Sequence, residues 1–217
     1  MNGYKPANYS ATEKVDGQFP LLIFLHGAGE RGKDNAKQLK WGREFMLAAA
    51  KDHDAFVLVP QCPNGKRWME VHWGEDKIEL PEQPSEPMAL LLALLPQLQV
   101  EFPIDEKRLY VMGLSMGGQG TWDMIQRNPG MFAAAAPVCG GGDRSKAELV
   151  KDLPIWIFHG GKDGVVPTDL SRKMMARMKE IDGKAKYTEY PGVGHNSWTP
   201  AMKEADLAEW LFSQRRQ

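Results

Sequence analysis

Leu109-Tyr110-Val111-Met112-Gly113-Leu114-Ser115-Met116-Gly117 is the stretch on which the fold turns. Its first four residues form an uninterrupted apolar run, which suits a strand buried on both faces. Residues 116–128 then carry a helical pattern, so the G-x-S-x-G segment Gly113–Gly117 falls on a strand-to-helix turn. Such a turn forces its central serine into a strained conformation, and glycines two residues to either side relieve the crowding. The hydroxyl is then lifted clear of the sheet at the positive end of a helix. Ser115 is therefore the candidate nucleophile; the plainer reading is a serine in an ordinary βα turn.

Working outward, the same alternation recurs. Leu21–Leu25 ends at His26-Gly27, Ala55–Val59 ends at Pro60, Ala134–Val138 ends at Cys139-Gly140, and Ile155–Phe158 ends at His159-Gly160. These runs read as buried strands of a parallel sheet, while Lys186–Tyr190 alternates more and suits an edge strand. Helical patterning is expected at about 34–51, 86–101, 116–128, 168–181 and 203–214. Ser85 is a plausible N-cap for the second of these, and Pro96 should kink or shorten it. The pattern predicts an α/β fold: a mostly parallel central sheet of about six strands or slightly more, helices on both faces, and one domain over residues 1–217.

A serine hydroxyl needs a base, and the base an orienting acid. Five histidines are present. His26 and His159 close strands and read as packing beneath the site; His53 reads as solvated; His72 lies in a long loop and is the fallback base. His195 sits in the glycine-rich segment Gly192–Trp198, between the last strand and the last helix, with freedom to lean over the carboxyl edge of the sheet. It is the candidate base. Asp163, five residues past Phe158, is the candidate acid, whereas Asp169 and Asp182 read as solvated charges. The chain order Ser115, Asp163, His195 is that of one hydrolase class and differs from both serine-protease orders.

Acyl transfer also needs donors for a developing oxyanion. The backbone N–H of Met116 and that of Ala28, in the glycine-rich loop His26–Gly32, are the candidates. That loop lacks the G-x-x-x-x-G-K-[ST] pattern of a phosphate cradle. The irregular stretch Cys62–Ser85 leaves the carboxyl edge of the sheet, so Trp68 and Trp73 are candidate substrate-wall residues; the alternative is that their indoles simply pack the loop.

Composition narrows the partners. With 27 Lys+Arg against 28 Asp+Glu, the chain lacks the basic surplus of a nucleic-acid binder. The longest apolar run near either end, Leu21–Leu25, is far short of a membrane span, and Met1–Tyr4 opens no signal peptide. Two cysteines, Cys62 and Cys139, are too few for a disulfide scaffold or zinc ribbon and read as unpaired buried thiols. No cofactor and no metal are expected.

The segments Leu25–Gly32, Pro60–Pro63, Gly113–Gly118, Phe158–Asp163 and Gly192–His195 together resemble the α/β-hydrolases. The resemblance is closest to the phospholipase/carboxylesterase-like branch, whose bacterial members are often labelled predicted peptidases or polyhydroxybutyrate-depolymerase-like esterases. It implies a metal-free Ser–Asp–His triad on the residues already chosen, a small-molecule ester as substrate, and an α/β-hydrolase fold. Only 20 residues precede the strand before the oxyanion loop, so the family's N-terminal hairpin is expected to be shortened or missing, or the chain to be a domain cut from a longer protein. Relatives of this branch are often secreted or carry a further N-terminal domain. Aryl, acetyl-sugar, feruloyl and short aliphatic esters all fit. Two competing functions are a prolyl-oligopeptidase-like peptidase, for which no large gating domain is in view, and a non-catalytic binding module on a hydrolase fold, against which the complete triad argues.

Overall fold

A computed structural model describes residues 2–6, 9 and 19–217. Among them, strands β1 (Asn2–Tyr4), β2 (Phe19–Leu25), β3 (Phe56–Val59), β4 (Ile104–Leu114), β5 (Ala134–Val138), β6 (Ile155–Gly160) and β7 (Ala185–Tyr190) form one sheet. Its order is β1-β3-β2-β4-β5-β6-β7, and every pairing is parallel except that of β1 with β3. The expected fold class is observed. Central register places Val111 of β4 between Ile23 of β2 and Ala135 of β5, so the strands at the middle are apolar on both faces.

Alternate residues feed two cores. Ile23, Leu25, Val111 and Ile157 point to the side covered by α2 (Glu86–Glu101), α3 (Met116–Arg127) and α4 (Thr168–Glu180). Leu22, Phe24, Met112 and Phe158 point to the other, where α1 (Arg43–Asp52), α5 (Trp198–Ala201) and α6 (Leu207–Ser213) lie. No helix among the described residues is long and apolar enough to cross a membrane.

Several boundaries differ from the sequence reading. The segment expected as one helix over 34–51 is a 3₁₀ turn at Lys37–Leu39 followed by α1; Gly42 separates them with φ of +77°, a left-handed conformation that interrupts the helix. Pro96 does not shorten α2, which continues to Glu101. It lies on the exposed face, where water can take the carbonyl that loses its partner. The helix expected over 203–214 is shorter, α6 covering Leu207–Ser213, and the one-turn α5 precedes it. The N-terminal hairpin is represented by the three-residue β1, antiparallel to β3; residues 10–18 lie outside the described residues.

The turn between β4 and α3 is the tightest point of the structure. Ser115 has φ 56° and ψ −118°, and its N–H is tied to Val138 O of β5 at 2.9 Å. A Cβ on Gly113 would fall 2.2 Å from Gly117 O, and one on Gly117 would fall 2.0 Å from Leu25 O of β2. These are backbone atoms of the first turn of α3 and of a central strand, and cannot step aside. Gly117→Ala is expected to cost about 3 kcal/mol or more, lowering Tm by roughly 6–12 °C for a chain of this size. A thermal melt within 1–2 °C of wild type, about what a neutral substitution gives, would contradict this account of the turn.

Candidate active site

The loops that follow β2, β4, β6 and β7 converge at the carboxyl edge of the sheet, and three sequence-distant side chains meet there. Ser115 Oγ lies 2.8 Å from His195 Nε2, and His195 Nδ1 lies 2.8 Å from Asp163 Oδ2. A carboxylate can only accept, so Nδ1 carries the hydrogen and Nε2 is left to accept from the serine hydroxyl. The Asp163 side chain is fully buried, while that of His195 keeps 21% of its surface exposed. Asp163 Oδ1 accepts from Val165 N–H at 2.8 Å and Val166 N–H at 3.0 Å. Burial alone would raise the Asp163 carboxyl; hydrogen bonds from His159, His195, Val166 and Val165 outweigh it and hold the group well below the usual carboxylate range.

The loop after β2 lies against Ser115: a Cβ on Gly27 would be 3.6 Å from Ser115 Cβ. Ala28 opens a 3₁₀ turn and Met116 opens α3, the positions at which backbone N–H groups have no intrahelical partner. Among the described residues neither N–H donates to a backbone acceptor. His26 braces this loop from below. Its Nδ1–H donates to Gly27 O at 2.6 Å, and its Nε2 accepts from Cys62 N–H at 2.9 Å. Burial lowers its pKa to about 4, against which the Gly27 hydrogen bond acts only partly.

The two tryptophans of the long loop part company. Trp68 is 1% exposed, lies against Gly120 of α3 and donates its indole N–H to His26 O at 3.1 Å. It packs the loop beneath the site, which corrects its reading as substrate wall: a buried indole with its donor already used has little to offer a ligand. Trp73 is half-buried, stacked on His72 with centroids 4.9 Å apart and with the Arg67 guanidinium 5.0 Å from its ring. The loop itself is pinned. Arg127, held by Asp123 at 2.8 Å, donates to the carbonyls of Pro81, Glu82 and Gln83, and Leu80 N–H donates to Asp143 Oδ2.

Of the remaining histidines, His72 is exposed on the long loop and takes its own hydrogen bond from Gly74 N–H, and it is His195 that reaches Ser115. His53 is half-buried and stacks on Phe212 at 4.4 Å rather than being fully solvated. Asp169 is exposed and pairs with Arg172. Two aromatic neighbours escaped the sequence reading. Trp198 meets His195 edge-to-face at 5.3 Å, and Trp41 packs on Trp198 at 5.8 Å while donating to Glu30 Oε1 at 3.1 Å. Trp198 could have been suspected from its place three residues after His195; Trp41 carries no local signal. Both cysteines are free and buried. Cys139 lies under the triad, its sulfur within 4.8 Å of Asp163 and His195 donor atoms. Burial pushes its thiol up to about 12, and the carboxylate and imidazole are already bonded to one another, so the three do not make a ligand set.

Because the His26 pKa lies below its ordinary 6.5, protonation favours unfolding: this group's stability is whole above pH 6.5 and is lost as pH falls to about 4. The loss should total about 3 kcal/mol, 1.36 for each pKa unit. Unfolding free energies of wild type and His26→Asn, from urea titrations between pH 7 and pH 4, should converge by that amount; parallel curves would contradict it.

The profile of the phospholipase/carboxylesterase family matches residues 8–208. The crystal structure of a thermostable esterase is 41% identical, with TM-score 0.87, over 99% of this chain and 58% of that one. Acyl-protein thioesterase 1 of Neurospora crassa is 25% identical over 226 residues, 89% of this chain and 86% of that protein. A bifunctional acetylxylan esterase/xylanase of Neocallimastix patriciarum is 25% identical over 210 residues, 92% of this chain but 28% of the other. The chain thus spans little more than half of the esterase structure and about a quarter of the bifunctional enzyme.

Proposed function

The chain belongs to the phospholipase/carboxylesterase family, and from that premise we propose that it hydrolyses carboxylic esters through an acyl-enzyme formed on Ser115. The observation that carries this reading is the unbroken series of 2.8 Å contacts from Ser115 through His195 to Asp163. Ser115 Oγ attacks the acyl carbon as His195 Nε2 takes its proton. The tetrahedral intermediate places its negative oxygen against the N–H groups of Ala28 and Met116. Collapse breaks the ester C–O bond, and His195 returns the proton to the leaving alcohol. Water then enters, gives its proton to His195 and attacks the acyl-enzyme; Ser115 recovers the proton as the carboxylic acid departs. Each oxyanion donor is worth about 10²–10³ in rate in such sites. Asp163, already ionised and fully hydrogen-bonded, stabilises the transient imidazolium without taking its proton.

Residues 1–217 act in this reading as one catalytic domain, supported by a single sheet whose two faces are covered by α1 to α6. The substrate is a small ester, with Trp73 on the wall of the cleft. A large flat indole with one N–H donor suits an aryl group or a sugar ring. The esterase names among the relatives favour esters over amides.

Wild type should cleave a p-nitrophenyl acyl ester and leave the matching anilide intact, and Ser115→Ala should lose about 10⁴-fold or more in kcat while remaining folded. Near-normal ester turnover by the folded variant would remove Ser115 from the mechanism, and preferred anilide cleavage would favour a peptidase.

Trp73→Ala should change kcat/KM unequally between acetyl and bulky aryl esters with little change in Tm. Trp68→Ala should instead destabilise by about 3–5 kcal/mol and leave the substrate ranking alone. Melting curves and a small ester panel distinguish the two, and identical behaviour of both variants would refute the division.

A further inference from the structure

Asp163 faces two imidazoles, and the proposed reaction uses one. His159, at the end of β6, is completely buried. Its Nε2 lies 3.2 Å from Asp163 Oδ2, the same oxygen that His195 Nδ1 reaches at 2.8 Å, and 3.2 Å from Val166 O. Both neighbours of Nε2 are acceptors, so Nε2 carries a hydrogen shared between them. On the other side of the ring Nδ1 lies 2.7 Å from Ser171 Oγ of α4, a hydroxyl able to donate to it. Val166 is tied twice: its carbonyl to His159 and its N–H to Asp163 Oδ1. The histidine thus holds the acid directly through Oδ2 and indirectly through the residue that grips Oδ1.

We propose that His159 is a positioning residue of the catalytic acid, and that Ser171, His159, Asp163, His195 and Ser115 form one connected hydrogen-bonded chain from α4 to the nucleophile. The inference rests on the triad reading above. A mere filler under the site would be apolar at this position; a buried polar ring with both nitrogens engaged fixes one tautomer and one carboxylate orientation. His159 also draws part of the charge on Oδ2 away from His195. Without that N–H the carboxylate faces His195 alone, holds the imidazolium more strongly, and is free to turn about its χ2 bond. The other ionisable groups around the cluster are Cys139 at the end of β5 and Glu189 on β7. Cys139 stays a thiol, and Glu189 is committed to Arg172 at 2.7 and 2.9 Å and to the Tyr187 hydroxyl at 2.8 Å. Neither can replace the His159 donor.

Three variants of the full chain test this by kcat/KM against pH on a p-nitrophenyl ester, with active-site titration by a fluorophosphonate to count competent enzyme. His159→Phe keeps a flat ring and removes both nitrogens; kcat/KM should fall about 10- to 100-fold, the size of effect that loss of an outer hydrogen-bond partner has where histidines and carboxylates ligate metals. Its acid limb should move to higher pH. His159→Gln, whose amide N–H can reach the position of Nε2, should recover part of the rate and most of the profile. Ser171→Ala, which leaves the ring in place and frees its tautomer, should move the acid limb the same way by a smaller amount, and it decides the matter should His159→Phe not fold. Profiles of His159→Phe and Ser171→Ala that overlay wild type, with any loss of rate matched by loss of titratable sites, would overturn the inference. If the triad reading itself were wrong, Ser115→Ala would keep its activity, a result independent of the His159 series.

Discussion

Everything in this molecule is arranged around one cramped turn. Ser115 adopts a backbone conformation that side-chain-bearing residues avoid, and it is held there by the close approach of α3 to β2 and β5. Gly113 and Gly117 leave no room for a Cβ, and the Ser115 N–H is fixed to Val138 O. The strain of one residue is tolerable because the surrounding strands are buried on both faces and cannot relax around it. What the turn delivers is a hydroxyl at the start of a helix, beside the orphan N–H of Met116, with a second orphan N–H on the neighbouring loop.

The other loops answer to that position. Strand order sets the loops after β2, β6 and β7 around the one after β4, and the first two of them are stiffened from beneath by a buried histidine. His26 ties the β2 loop to the β3 loop through Gly27 and Cys62. His159 ties the β6 loop to α4 through Ser171. Ser197 N–H closes the β7 loop on His195 O at 2.8 Å. Arg127, from the far end of the helix that carries the nucleophile, clamps the Cys62–Ser85 segment. Polar groups buried so close to an apolar core are costly unless satisfied, and here His26, His159 and Arg127 are hydrogen-bonded across elements, turning a set of loops into a rigid frame.

Much of this was legible in the sequence. Continuous apolar runs gave five central strands because both faces of a parallel sheet are buried, and the G-x-S-x-G turn, His195 and Asp163 could be ordered because each follows a recognisable strand end. What escaped has physical causes. β1 is three residues, Asn-Gly-Tyr, with no periodicity to read, and its strand character comes from pairing with β3. Gly42 looked like one more residue of an amphipathic stretch until its positive φ split it. Pro96 removes one helical donor, but it sits on the exposed side of α2, and the helix runs on to Glu101. Trp68 and Trp73 share a loop and a composition, and only the approach of Gly120 separates a packed indole from a half-open one. His159 was read as packing because its partners, Asp163 and Ser171, lie on separate elements and the contact is tertiary.

The central claim is that this frame makes one serine hydroxyl far more nucleophilic than any other in the chain. Intact-protein and peptide mass spectrometry after brief exposure to a fluorophosphonate measures this directly. The account predicts a single adduct, on the peptide containing Ser115, whose formation Asp163→Asn slows severely. Adducts spread over several serines, or one located elsewhere with Ser115 unmodified, would contradict it.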